Sequence, residues 1–377
     1  MSLPQRIVGS IFLVLLLGFL AFQLKKPLLV LAGAPSINSN QILATYANNN
    51  LKNPTGISVA GTYLIISDTG HNTVRYFNMS SPQEGLTTIG NGNQGYIDSV
   101  TMSSVEFNAP TGLVGSIISV PNPAPPPAPP LKFGLVAQVA DTGNAAIRTI
   151  CIPLTGPPAC AGLGVGTRTG GTVSNGLSGP VSLSQAQTML VDSAANTVLN
   201  SQTSTSPTLT ALNGNSVSGY VDGSLATAEF NFPTSIVTFP GGTAIADTGN
   251  NALRIINSQT VSTLAGSPTP GYADGPTTAA RFNKPSGMVY NPADQYFYVA
   301  DTFNSCIRRV DTSGNVTTYA GMCTHAGLVD STTLSSAKLN KPTGIAISGS
   351  FMYISDSGNN CIRRLDMSQS AISTYIQ

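Results

Sequence analysis

Ile245-Ala246-Asp247-Thr248-Gly249-Asn250-Asn251-Ala252-Leu253-Arg254 is the stretch on which the fold turns. An aliphatic-Ala pair ends in Asp, a Thr-Gly-Asn run follows with residues that tight turns favour, and Arg arrives seven positions after the Asp, behind an aliphatic residue. The same run returns as Ile66-Ser67-Asp68-Thr69-Gly70, Val139-Ala140-Asp141-Thr142-Gly143, Leu190-Val191-Asp192-Ser193, Val299-Ala300-Asp301-Thr302 and Ile354-Ser355-Asp356-Ser357-Gly358. Its Arg recurs as Arg75, Arg148, Arg308 and Arg363. Successive aspartates are 73, 51, 55, 54 and 55 residues apart. Self-similarity at a fixed period is the mark of a repeat architecture. The long first interval contains the proline-rich stretch 121–131, which cannot join a sheet ladder and reads as a solvated arm.

Outward from the turn, each unit shows further fixed features. Upstream lies Pro-x-Gly or Pro-x-Ser, read as a turn: Pro54-Thr55-Gly56, Pro110-Thr111-Gly112, Pro233-Thr234-Ser235, Pro285-Ser286-Gly287 and Pro342-Thr343-Gly344. Between units a Gly-Tyr-x-Asp loop occurs at 95–98, 219–222 and 271–274, followed by Phe107-Asn108, Phe230-Asn231 and Phe282-Asn283. The third unit is degenerate, with Ala195 and Leu199 in place of the polar residue and the Arg. Four short strands fit each unit; in the fifth they are 287–291, 296–301, 306–311 and 316–320. The Asp-Thr-Gly-Asn run then joins the second and third strands, with Gly and Asn supplying positive φ. Four-stranded antiparallel units of this length pack radially, because no single unit can bury both of its faces. The fold class is therefore all-β: a six-bladed β-propeller with approximate units 48–91, 92–165, 166–213, 214–266, 267–321 and 322–377.

Composition limits the function classes. Of 377 residues only 9% are charged, with a net charge of +1, so no basic stripe is available for phosphates and nucleic-acid binding is excluded. A hydrophobic content of 41% is too high for a disordered chain. Arg6 precedes an apolar run from Ile7 to Leu24, followed by Lys25-Lys26, so residues 1–34 read as a signal peptide or a membrane anchor ahead of a propeller domain at 35–377. Ala32-Gly33-Ala34 has the form of a cleavage site. The protein is expected to be secreted, or held to the membrane through this segment alone. Two disulfides, Cys151 with Cys160 and Cys306 with Cys323, would agree with an oxidising compartment, as would N-glycosylation at Asn78 and Asn315.

Catalytic machinery would be made of residues that depart from the repeat, and the 16 acidic residues leave only Glu84 and Asp294 outside it. Neither has a partner suggested by the sequence, and both read as surface charges. The turn aspartates Asp68, Asp141, Asp192, Asp247, Asp301 and Asp356 read first as hairpin ion pairs with the Arg seven residues on. The functional alternative is a ring at the channel mouth whose oxygens hold Ca²⁺. His71 replaces a turn Asn and His325 sits in a linker; two His in the whole chain do not make a zinc site. Tyr96, Tyr220 and Tyr272 read as staples between blades. No other metal and no cofactor is expected.

Pro-x-Gly, an aliphatic-Ala-Asp-Thr-Gly-Asn turn and Ile-Arg together resemble the NHL repeat, whose members are β-propellers. The resemblance runs from about Asn53 to Gln377, and it departs from the family in the turn itself, which reads His71-Asn72, Asn250-Asn251 or Asn359-Asn360 instead of Asn-His-Leu. It implies a secreted or organellar type of NHL protein, and the metal-binding His set of the family's peptide-cleaving members is not present. The expected function is a non-catalytic extracellular binding or structural module whose partner is a protein, a glycan or a second copy. The competing class is a propeller hydrolase or lyase with a site at the channel mouth, and a third is a ligand-sensing ectodomain. Gln41 to Ala47 resembles an outer strand although the last unit already has its own at 372–376, so the expectation is either a fragment of a longer protein whose next blade is missing or a spare strand that pairs with a neighbouring molecule.

Overall fold

The structure, a computed structural model, describes residues 50–121, 131–154, 165–170, 177, 180–183, 189–202, 208–211 and 216–377. These form six antiparallel sheets; in each, four strands lie side by side in chain order, and in two of them a short linker strand, Gly223–Ser224 or Gly275–Pro276, adds to the outer edge. Blade one is Pro54–Ala60, Tyr63–Asp68, Thr73–Asn78 and Thr87–Ile89; blade two is Pro110–Pro121, Leu131–Asp141, Ala146–Pro153 and Val165–Gly170. Blade three is Pro180–Leu183, Met189–Asp192, Thr197–Gln202 and Thr208–Ala211; blade four is Ser235–Phe239, Gly242–Asp247, Ala252–Asn257 and Thr260–Gly266. Blade five is Pro285–Asn291, Tyr296–Asp301, Cys306–Asp311 and Asn315–Ala320; blade six is Pro342–Ser348, Phe351–Asp356, Cys361–Asp366 and Ala371–Ile376. The outer strand of blade two runs across the expected unit junction at 165/166.

Each second strand is flanked by a strand on either side and covered by a neighbouring blade on either face. That is why it reads as an unbroken apolar run such as Tyr298-Val299-Ala300, all buried, rather than as an alternation. Apolar clusters fill the gaps between successive blades. One joins Ile65 and Val74 of blade one to Leu135 and Val139 of blade two. Another joins Ala246 and Leu253 of blade four to Met288 and Phe297 of blade five. The seam between the last and first blades is closed in the same manner, by Phe77 against Tyr375 at 5.9 Å and by the Asn53 amide donating to Asn360 Oδ1 at 2.8 Å.

Two features differ from the sequence reading. Pro-x-Gly is not a turn: its Pro opens the innermost strand, where a missing N–H costs nothing, and the bend is made one residue earlier. Asn53, Ala109, Phe232, Lys284 and Lys341 occupy that bend with φ of 47 to 54°. Gly56, Gly112, Gly287 and Gly344 are required because a Cβ there would lie 2.0 to 2.3 Å from a carbonyl oxygen of the next blade's inner strand. In the Asp-Thr-Gly-Asn turn the left-handed residue is likewise not the Gly but the one after the following Asn or His, namely Asn72, Ala145, Asn251, Ser305 or Asn360. The turn Gly instead lets the linker backbone approach, as where the Gly249 amide donates to Asn231 O at 2.7 Å. The proline-rich arm tops a lengthened hairpin, with pairing out to Pro121 opposite Leu131; residues 122–130 lie outside the described residues. So do the N-terminal segment 1–34 and Gln41 to Ala47. Among the described residues no helix is long and apolar enough to cross a membrane.

Candidate functional site: the linker face and the central channel

Strand direction sorts the molecule into two faces. Inner strands start, second strands end, and linkers cross on one face; the turns between third and outer strands lie on the other. On the linker face the turn aspartates sit inside the blades, fully buried. Oδ1 accepts a linker amide, from Lys52, Asn108, Asn231, Asn283 or Asn340, at 2.7 to 2.8 Å. Oδ2 accepts the turn Asn side chain, as from Asn144, Asn250, Asn304 and Asn359 at 2.8 Å, with His71 in that role at 2.9 Å in blade one. Oδ2 also pairs with the Arg seven residues on, at 2.8 Å for Asp301 with Arg308 and 2.9 Å for Asp247 with Arg254. In blade three Asp192 keeps its place, with the Ala195 amide donating to it at 3.1 Å, although Leu199 has replaced the Arg.

The sequence did not reveal what surrounds each Arg. The linker aspartate is a second counter-charge: Asp98, Asp222, Asp274 and Asp330 lie 2.5 to 2.7 Å from Arg148, Arg254, Arg308 and Arg363. The guanidinium of Arg308 also lies 5.0 Å from the centroid of the Tyr272 ring and 5.2 Å from that of Phe282. Tyr220 with Phe230 and Tyr96 with Phe107 bracket Arg254 and Arg148 in the same way. The linker tyrosines are thus lids on buried arginines, a cation–π role that desolvation strengthens. Burial pushes the Asp247 and Asp301 carboxyls up to about 6, against the lowering effect of amide donors and Arg.

The remaining singled-out residues lie apart from one another. His325 Nδ1 lies 3.0 Å from Cys323 O. Asp294 is exposed, as the sequence suggests, and accepts from the hydroxyl of Tyr298 at 2.7 Å; burial drives that phenol well above its usual range. Cys306 and Cys323 form a disulfide; Cys151 is buried and disulfide-bonded, and Cys160 lies outside the described residues. Burial pushes the Cys361 thiol up strongly. Asn78 closes the third strand of blade one and Asn315 opens the outer strand of blade five, so both sequons lie on the face opposite the linkers.

The six inner strands surround a channel of about 430 Å³. Its wall is tiered. Nearest the linker face stand the hydroxyl residues Thr55, Thr111, Thr234, Ser286 and Thr343, with Val181 in the sixth place; deeper come aliphatic side chains such as Ile57, Leu113, Leu183, Ile236 and Ile345. Each of the five hydroxyls lies 2.5 to 2.6 Å from the hydroxyl of its own blade's turn residue: Thr69, Thr142, Thr248, Thr302 or Ser357. Around the mouth the linker face exposes apolar side chains, among them Phe232 at 51% and Phe303 at 53%, with Ile97, Val221, Tyr272 and Val329 further out.

No family model matches the chain. Among curated proteins it is 31% identical over 108 residues to the NHL repeat-containing protein 2 of Bos taurus, a match that spans 28% of this chain and 15% of that protein. It is 37% identical over 101 residues, 23% of this chain and 10% of that protein, to the chloroplastic protein SUPPRESSOR OF QUENCHING 1 of Arabidopsis thaliana. The chain therefore spans a small part of the curated relatives it matches. Solved structures align over far more of it. A structural-genomics protein of unknown function from Bacteroides thetaiotaomicron superposes with a TM-score of 0.58 at 16% identity, covering 84% of this chain and 69% of that one. An auxiliary nutrient binding protein from the same organism gives 0.57 at 16% identity, covering 86% and 70%. Five turn-and-Arg units with a degenerate one between them, six radial sheets and these relatives agree: the chain is an NHL-repeat β-propeller.

Proposed function

We propose that this propeller is a non-catalytic, secreted binding module that engages a macromolecular partner through its linker face. The observation that carries the reading is the exposure of large apolar side chains on that face, in the linkers and turns around the channel mouth, led by Phe232 and Phe303. Isolated exposed apolar residues are ordinary, whereas a set gathered on one face marks an interaction surface. The sequons and the proline-rich hairpin both belong to the opposite face and leave this one clear. The disulfide between Cys306 and Cys323 supports an oxidising compartment. The superposition on a nutrient binding protein supports a binding role by likeness of fold.

Within this reading the partner is a second copy, and Gln41 to Ala47 is the joining strand. Blade six is complete from Pro342 to Ile376, so that segment is not needed for the ring. Sedimentation and electron microscopy of the mature secreted chain test this. Assemblies that dissolve on deletion of Gln41 to Ala47, and weaken with Phe303→Ser, are expected. Monomers in both wild type and variants would remove self-association and turn the search toward glycan and protein ligands.

A further inference from the structure

The linkers do more than join the blades: they cap the outer edges of the sheets. An outer strand presents a row of unpaired N–H and C=O groups, and a strand laid along it satisfies them. In blade four Gly223 and Ser224 pair with Val261 and Thr260, and in blade five Gly275 and Pro276 pair with Val316 and Asn315. In blade six Ser331 and Ile372 exchange backbone hydrogen bonds of 2.8 and 3.0 Å. The linker aspartate just before takes the next free amide of the same edge: Thr263 donates to Asp222 at 3.0 Å, Thr318 to Asp274 at 3.1 Å and Thr374 to Asp330 at 2.8 Å. These three threonines stand opposite Arg254, Arg308 and Arg363.

The corresponding position in blade one is Thr88, opposite Arg75, on an outer strand whose Thr87 and Thr88 are exposed. Among the described residues nothing covers this edge. The incoming chain nevertheless follows the track of the other linkers. Asn50 O accepts from Arg75 at 3.2 Å as Arg281 O does from Arg308 at 3.0 Å, and each lies four residues before the proline that opens its inner strand. Ahead of blades four, five and six the linker residue that pairs with the outer edge, Gly223, Gly275 or Ser331, precedes Pro233, Pro285 or Pro342 by ten or eleven positions. Counted from Pro54, the same spacing gives Ala44 or Leu43, in the middle of Gln41 to Ala47. The residue just before, an Asp in the other three linkers, is here Leu43 or Ile42, which has no side-chain acceptor. The Thr88 amide is left for a backbone carbonyl, the partner that an added strand supplies.

We propose that the outer edge of blade one, from Leu86 to Ile89, is the seat of the Gln41 to Ala47 strand, which runs antiparallel to it with Leu43 or Ala44 opposite Leu86. For its occupant this rests on the joining-strand reading above: the strand of one copy leaves its own blade one and takes the same edge of the next. Both copies then keep the contacts a closed monomer would make, and only the chain that supplies them changes.

Cysteine pairs across the seat test this in the full secreted chain: Leu86→Cys combined with Ala44→Cys, and Leu86→Cys combined with Leu43→Cys, each oxidised and mapped by non-reducing mass spectrometry. One of the two registers is expected to give a disulfide between the introduced thiols that links chains into covalent multimers. The same disulfide confined to single chains would uphold the seat and remove the joining-strand reading. No such disulfide in either register would overturn the seat. Thr88→Pro supplies a second readout, since it removes the edge amide at a position where an outer strand tolerates proline. It is expected to weaken association in sedimentation at least about tenfold, the worth of one or two hydrogen bonds, while the ring unfolds at the same temperature. Assemblies that form in Thr88→Pro as in wild type, yet dissolve on deletion of Gln41 to Ala47, would overturn this seat and leave self-association standing.

Discussion

At Arg308 a guanidinium has been taken out of water and given back two carboxylates, two carbonyls and two aromatic faces. Truncating one member of such a set leaves the others buried and uncompensated, which is costlier than the set's net worth. Arg308→Met should therefore lower stability by about 3–5 kcal/mol in urea unfolding. Blade three shows the alternative solution, with Leu199 where the others have Arg. Burial sets the titration of Asp301. In Asp274→Asn the Asp301 carboxyl becomes the sole acidic partner of Arg308, and its pKa should fall below about 6, read by carboxyl carbon NMR. The same shift gives stability a sign with pH. Asp247 and Asp301 titrate near 6 when folded and nearer 4 when unfolded, so between those values the folded state holds more protons. Their contribution is present at low pH and lost as pH rises through about 6. The urea midpoint should accordingly be higher at pH 5 than at pH 7.

At the scale of the element, the inner strands are where tolerance is lowest. Gly344 faces Thr55 O at 2.3 Å from the position a Cβ would take, and the obstacle is backbone rather than a side chain that can swing away. Gly344→Val should cost at least about 1–3 kcal/mol, the usual penalty of overpacking, and should slow closure of the ring. The hairpin of blade two behaves oppositely. Its strands pair fully from Leu113 opposite Val139 out to Pro121 opposite Leu131 before the arm begins. Replacing residues 122–130 by Asn-Gly should leave the thermal midpoint within about 2 °C, since loop length enters stability only logarithmically. A larger drop would mean that the arm packs on the blade.

For the whole molecule the question is whether the ring is sealed by a special device. The seam between blades six and one uses the same contacts as the interior seams: Ser357 donates to Pro54 O as Thr302 does to Pro342 O, and Phe77 is buried against Tyr375. Phe77→Ala should thus cost about 3–5 kcal/mol, as a core truncation does, with unfolding still a single cooperative transition by calorimetry. Two separate transitions would show that the seam opens by itself.

The sequence by itself determined the repeat, its period, the four strands per unit and the pairing of turn Asp with Arg seven residues on, because these are local and recur five or six times. It misplaced the reason for its glycines. Positive φ is a property of one residue, whereas the carbonyl that excludes a Cβ at Gly56 belongs to Thr111 in the next blade, a contact no local pattern records. It placed Asp294 on the surface and Tyr272 at a blade junction, but not the Tyr298 hydroxyl and the Arg308 face they meet, which burial hides or the chain holds far off. Only the tertiary structure decided where the turn hydroxyls reach. Thr69, Thr248, Thr302 and Ser357 donate to a proline carbonyl of the next blade, a contact that exists only once the blades are set side by side around the ring.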